Sequence, residues 1–527
     1  MTHPFEKFLE YFVPLYEKKF TQLNKATWLL ETTSSNDAAD LRADIDTELR
    51  ILLSEPAGYQ KLRSWYESGE IQNPILHREL NCLMRAFKQN QFPKELLEEI
   101  AQKEAALTQS YGQFRPVVHG KKLTENEIRS ALKTENDVEK RKKTWEASKN
   151  IGDVLAPQIL ELVFLRNTGA KALGYPDYFQ MQLELQEVDR AWLLETFETV
   201  AEKSAIAYSS MMKEIEKNQM ERFGVLQSEL GPWAWSEPFC QEDPLDSHEL
   251  DMLVEDIDIV DVCTSFYDHM GVDVRSILEK SDMFERPGKN QHAFCIHIDR
   301  KGDVRTLNNV KPAIKWLETV LHEYGHAIYD RGIDLNLPWV LREPPHMITT
   351  EAMALLAGRQ AYRVSSLPIL IGEMPSHRPL IQKAAKSLTR RQLIFSRWVL
   401  VMTAFESALY SNPGQDLNEL WWSCVEKYQK IRRPPCREKK HDWATKYHIG
   451  LAPVYYFSYL LGEMFASSIQ ETLKKETGSI EIATKDAGLF LHKKLFSPGN
   501  RMNWSDLVQH VTGHRLTPAA WLREFCE

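Results

Sequence analysis

Residues 319–330 read TVLHEYGHAIYD, and within them His322, Glu323 and His326 have the spacing H-E-x-x-H. Residues four apart lie one turn apart on the same face of a helix. Both imidazoles can therefore point at one ion, and Glu323 can reach a water beside it. Leu317, Val320, Leu321, Tyr324 and Ile328 form an apolar stripe at helical spacing, so the segment is expected to be a helix with one packed face. The same three letters also arise by chance, so their meaning depends on what else the chain supplies.

A catalytic zinc takes three protein ligands and keeps one position open. The next candidate follows LREPPHM (341–347), where Pro344 and Pro345 suit a helix start. MITTEAMALLAGRQAYR (347–363) continues with helical apolar spacing, and Glu351 is its acidic residue, 25 positions after His326. A carboxylate on an otherwise apolar face needs a partner. A metal ion is one such partner, and a basic core residue is another. His346 is a rival ligand, although the two prolines beside it indicate a loop.

Upstream, HAFCIHIDRKGDVRTLNNV (292–310) alternates, is rich in strand formers and carries Arg300-Lys301-Gly302-Asp303 at its centre. It reads as a β-hairpin. A hairpin beside a metal helix can accept an extended peptide as an added strand, or it can be purely structural. Downstream, ATKYHIGLAPVYYFSYLLGEMFASS (444–468) brings Lys446, Tyr447 and His448, then a helix from near Pro453 with Tyr455, Tyr456 and Tyr459. A Tyr hydroxyl or a His N–H can stabilise an oxyanion, each donor contributing about 2.7–4 kcal/mol to the transition state. A tyrosine-rich helix is equally a packing feature.

The rest of the chain frames these segments. Phe5, Phe8, Leu9, Phe12, Leu15 and Tyr16 recur at helical spacing, Thr124 and Glu127 form a capping box, and one long amphipathic helix is expected from Asp189 to Phe223. No fixed-period repeat or Gly/Ser linker divides the 527 residues. A single large helical unit over 1–527, built of two lobes formed by interleaved segments, is the simplest organisation, with a metal core at 290–360 and an oxyanion and substrate segment at 440–468. The net charge of −9 argues against nucleic acid as a partner. The N-terminus lacks the apolar core of a signal peptide, and with no run of about 18 apolar residues no membrane span is expected. Seven scattered cysteines without a CxxC pair point to the reducing cytoplasm.

Taken together, these residues resemble the zinc peptidases of the angiotensin-converting-enzyme family and, more distantly, the thimet oligopeptidase and oligoendopeptidase group. HAFCIHI is similar to the family's HASAW strand, with His292 standing 30 residues before His322. REPPHMITTE is similar to its RE…HE segment, with Arg342 nine residues before Glu351. KYHIGLAPVYYFSY is similar to its KFH…YIRYF stretch, and NKATWLLETT and KSDMFERPGKNQHAF also look like family sequence.

The resemblance implies a mainly helical (all-α) ellipsoid with a small antiparallel hairpin beside the active site and a deep central cleft between two lobes. It implies one zinc ion per chain, bound by His322, His326 and Glu351, with Glu323 as general base. His448 and Tyr456 would hydrogen-bond the tetrahedral intermediate. Lys446 would bind the substrate's C-terminal carboxylate, and Ala293 would pair with the substrate backbone beside His292. Tyr455 and Tyr459 are the other tyrosines of the substrate segment and alternatives to Tyr456.

Four departures from the family pattern stand out. The connection from His448 to the tyrosines is shorter. Tyr455 replaces an arginine linked to chloride activation, and Gln291 replaces a disulfide cysteine. Leu355 stands where an aspartate often supports a zinc histidine, so another supporting partner is needed.

The expected function is zinc-dependent hydrolysis of short peptides near the C-terminus, in the manner of a peptidyl-dipeptidase or carboxypeptidase, by a cytoplasmic monomer or homodimer. An oligoendopeptidase cutting internal bonds is the alternative enzyme. A non-catalytic, zinc-stabilised peptide-binding scaffold is the alternative from another class, against which the presence of Glu323 speaks. Manganese or cobalt would suit the same ligands.

Overall fold

The computed structural model describes residues 3–118, 120–245, 248–372 and 375–527. It is 70% helical, and its strands form two short antiparallel pairs. The first joins β1 (Val117–Val118) to β2 (Lys121–Lys122), the second β3 (Phe294–His297) to β4 (Val304–Leu307). The mainly helical class with a small hairpin, expected from the sequence, is the class observed.

The chain divides into two compact units made of interleaved segments. One comprises Met1–Gln91, His248–Ala385 and Leu461–Ala520, and the other Phe92–Ser247, Lys386–Leu460 and Trp521–Glu527. The metal segment 290–360 belongs to the first. Residues 440–460 of the oxyanion and substrate segment belong to the second, and 461–468 to the first.

In the first unit, α1 (Pro4–Thr33) starts on a capping box. His3 Nδ1 accepts the Phe5 N–H at 3.1 Å, and Glu6 Oε2 accepts the His3 N–H at 2.7 Å. Its aromatic stripe packs as the periodicity requires. Phe8 stacks on Phe12 with ring centres 5.2 Å apart, and Tyr16 and Phe20 meet the Trp339 ring at 5.2 and 5.4 Å.

The hairpin pairs Phe294 with Leu307 and His297 with Val304. Its turn is tied by Asp299, whose Oδ1 accepts the N–H groups of Lys301 (2.7 Å) and Asp303 (3.1 Å). Arg300 sits at φ +56°, and Gly302 at +103° supplies the conformation that other residues resist. The expected strand is shorter than its alternating sequence. His292 and Ala293 precede β3 rather than lie in it, and Asn290 Oδ1 accepts the His292 N–H at 2.9 Å.

In the second unit, the capping box at Thr124 forms as the sequence predicts, with Glu127 N–H to Thr124 Oγ1 at 3.2 Å and Thr124 N–H to Glu127 Oε2 at 2.8 Å. The long helix expected from Asp189 is instead two helices, Arg190–Lys203 and Ala205–Phe223. The break falls at the buried Ser204. Its hydroxyl donates to Val200 O at 2.6 Å and accepts from Arg397 Nη2 at 2.6 Å. A serine bonded back to the preceding turn bends a helix, and the arginine comes from a distant part of the sequence.

The segment Pro375–Ser411, most of it helix Arg378–Ser411, is long and apolar enough to cross a membrane by length and composition alone. However, 83% of its most apolar stretch is buried inside the protein, as in a core helix.

Candidate active site

The H-E-x-x-H residues lie on α2 (Ile314–Gly332). Leu317, Val320, Leu321, Tyr324 and Ile328 are all buried, so the apolar stripe packs as expected. Ala313 gives no side-chain cap, and the Ile314 N–H is taken instead by Asp251 Oδ1 at 3.0 Å.

Glu351 lies on α3 (Met347–Gly358), which begins at His346. The His346 Nδ1 accepts the Ile348 N–H at 2.9 Å, so the rival ligand is the cap of this helix. The two helices pack closely at Gly325, where a Cβ would stand 2.7 Å from Ala354 Cα. Close contact here carries α3 up to the histidines.

The ligand atoms of His322, His326 and Glu351 all lie within 4.8 Å of one another. The two Nε2 atoms are 3.2 Å apart, and Glu351 Oε2 is 3.8 Å from His322 Nε2 and 4.0 Å from His326 Nε2. Zinc bonds to His nitrogen and carboxylate oxygen run about 2.0–2.2 Å, so two ligands of one ion stand no more than about 4.4 Å apart. All three separations meet that limit.

The donor set fits as well. Glu351 Oε2 is buried and accepts no hydrogen bond, a costly state for a carboxylate oxygen unless something cationic faces it. Among the described residues the basic side chains within 4.0 Å of it are these two histidines. Arg359, the residue that caps the end of α3, pairs with Glu463 and donates to Ser467 Oγ at 3.0 Å. The core ion pair that the sequence left open for Glu351 is therefore not formed with this arginine.

Burial sets the protonation of the group. It pushes Glu323 up to about 8, with the Glu351 charge adding to the effect, and Glu351 up to about 8, with Glu463 adding. It lowers His322 to about 4 and holds His326 well below its ordinary value. Neutral histidines are the form that ligates, and a divalent cation would return the carboxyls to their charged form. His326 Nδ1 lies 2.7 Å from Thr350 Oγ1, a contact that the sequence did not reveal.

Lys446, His448, Tyr455, Tyr456 and Tyr459, expected to face the substrate, lie in the second unit. Lys446 is buried, donates to Gln241 Oε1 at 3.2 Å, and sits 4.8 Å from the Phe239 ring centre and 5.4 Å from that of Trp398. Burial lowers it to about 8, against the raising effect of Glu237. His448 is lowered to about 4, first by burial and then by the Lys446 charge.

Of the three tyrosines, Tyr456 packs on His448, with ring centres 4.8 Å apart, and its hydroxyl donates to Gln241 Oε1 at 3.3 Å. Burial raises the Tyr456 pKa above the ordinary phenol value, keeping the O–H as a donor. Tyr455 meets Tyr459 at 5.3 Å, and Tyr459 meets Tyr456 at 5.4 Å. The short connection before them is made by Val454 at φ +57°. Its N–H donates to Glu406 Oε1 at 3.1 Å, and its carbonyl accepts from Gln186 Nε2 at 3.1 Å. Such a backbone costs a β-branched residue about 1–3 kcal/mol, and these two bonds hold it.

Gln241, Glu237, Val454 and Thr350 escaped the sequence reading. Gln241 meets Lys446 only across 205 residues of chain, and no local pattern announces it. A left-handed valine has no signature either. Thr350 had one available signal, the absence of an acid at position 355.

A mainly helical fold thus brings two half-buried histidines of one helix against a buried glutamate of a second, with an acid beside the first histidine, a donor set that could hold a metal ion. Comparison with protein families agrees. The peptidase M2 model, angiotensin-converting enzyme, matches residues 2–212 and 250–527. The chain belongs to this family of zinc peptidases, whose members act on peptides. No individual curated protein matches it. The family match omits 213–249, the stretch that supplies Glu237 and Gln241.

Proposed function

We propose that the chain cleaves short peptides near their C-terminus, using one zinc ion held by His322, His326 and Glu351. When bound, zinc polarises the scissile carbonyl and makes a water acidic. Glu323 takes that water's proton and delivers it to the leaving amine. Its burial one residue after His322 supports this role. His448 and Tyr456 donate to the oxygen that becomes negative. The neutral state of His448 and the protonated state of Tyr456 at pH 7 support them as donors.

Lys446 receives the substrate's terminal carboxylate. An ammonium enclosed by Phe239 and Trp398 attracts an anion more strongly than one in water does. The outer edge of β3, entered through His292 and Ala293, offers backbone groups to an extended peptide. Tyr455 and Tyr459 line the substrate segment.

The observation that carries the proposal is the His322–His326–Glu351 group, with the buried Glu323 beside it, in a chain of this family. One observation favours internal cleavage instead: Glu237, fully buried, counters part of the Lys446 charge. Digestion of matched free-acid and C-terminally amidated peptides, read by product masses, separates the two. Loss of cleavage on amidation is expected. Equal cleavage of both, at internal bonds, would assign an oligoendopeptidase.

A further inference from the structure

We infer that Thr350 is the positioning residue of the metal centre, its hydroxyl holding the rotation of His326 by accepting the Nδ1–H of the ring that ligates through Nε2. This rests on reading His322, His326 and Glu351 as the zinc ligands. An imidazole that ligates through Nε2 carries its proton on Nδ1, and that N–H needs an acceptor. Thr350 Oγ1 stands 2.7 Å from His326 Nδ1, while His326 Nε2 faces His322 Nε2 at 3.2 Å and Glu351 Oε2 at 4.0 Å. The ring thus turns one nitrogen to the hydroxyl and the other to the ligand group.

The neighbouring threonine has a different task. Thr349 Oγ1 donates to His346 O at 2.8 Å and accepts from Tyr329 OH at 3.3 Å, closing the start of α3. Position 355, where a supporting carboxylate would be sought, is an apolar leucine. Its Cδ1 would stand 3.3 Å from a Cβ at Gly462, so Leu355 packs against backbone and offers His326 nothing. Thr350 and Glu351 are consecutive, so one turn of α3 delivers both the orienting hydroxyl and a ligand to α2.

A hydroxyl, unlike a carboxylate, adds no negative charge behind the ring. His326 therefore remains a weaker base, and a bound ion stays more electrophilic than in a carboxylate-backed site.

The test is zinc affinity of the full chain by competition with a chromogenic chelator, with melting of the metal-free protein alongside. Thr350→Val keeps the branched shape and removes the hydroxyl. It should bind zinc about 10–100-fold more weakly while the metal-free protein melts as the unmodified chain does. Thr350→Ser should recover most of the affinity, and Thr350→Ala, which adds no methyl, should lose as much as the valine variant. Wild-type affinity in Thr350→Val and Thr350→Ala, alongside loss of zinc in His322→Ala, would overturn the inference alone. Wild-type affinity in His322→Ala as well would overturn the ligand reading beneath it.

Discussion

Tyr456 and Lys446 show how burial sets the protonation of single side chains. Tyr456 is the tyrosine packed on His448, and its hydroxyl is kept protonated by burial. Replacing it with phenylalanine should lower kcat by about 10²–10³, the effect of removing one oxyanion donor. Tyr455→Phe and Tyr459→Phe should change kcat far less, and steady-state kinetics on one peptide ranks the three.

Lys446 predicts a pH effect with a definite sign. Burial favours its neutral form and brings it from 10.5 to about 8, so the ammonium is present below that pH and lost above it. KM for free-acid peptides should rise as pH passes about 8, while KM for any cleaved amidated peptide stays flat. His322, Glu323, His326 and Glu351 were legible in the sequence because helical spacing alone brings the first three together and an apolar helix isolates the fourth. Gln241 and Thr350 were not, because each acts on a side chain that the fold, rather than the local chain, brings near.

At the scale of elements, the site depends on how closely α2 and α3 approach. Gly325→Ala would put a Cβ 2.7 Å from Ala354 Cα, and backbone cannot move aside as a flexible side chain can. A destabilisation of about 1–3 kcal/mol is expected, as for overpacking elsewhere, with weakened zinc binding from the displaced Glu351. Denaturant melts and zinc titration of this variant measure both effects.

The hairpin and the Thr124 capping box were legible because their signals are local: alternation, turn residues, and a hydroxyl three positions before a glutamate. The break at Ser204 was not, because a serine in a helical pattern says nothing until Arg397 is seen bonding to it. The start of β3 was overestimated for a similar reason. Alternation extends through His292 and Ala293, but Asn290 takes the His292 N–H before the ladder begins.

For the whole molecule, the fold class could be read from helical periodicity and two turn-rich strands. The boundaries of the three segments in each compact unit could not, since chain continuity hides which distant segments share a core. The burial of Pro375–Ser411 makes the same point, because length and apolarity alone do not distinguish a core helix from a membrane span.

Each unit carries its own extensive buried core, so zinc should add stability by binding rather than create the fold. Chelation should lower Tm, by the linkage that gives about 2.7 kcal/mol at a metal concentration 100 times Kd. The far-UV helical signal should persist at room temperature. Collapse of that signal on chelation would instead mark zinc as a structural staple.

The central claim is that Glu323 acts beside a zinc ion held by His322, His326 and Glu351. Its most direct test measures zinc content and peptide hydrolysis on the same preparation of Glu323→Gln. The account predicts one zinc per chain, with kcat reduced by at least about 10²–10⁴, the contribution of a positioned acid–base group. A Glu323→Gln protein that holds its zinc and hydrolyses peptides at the full rate would contradict it.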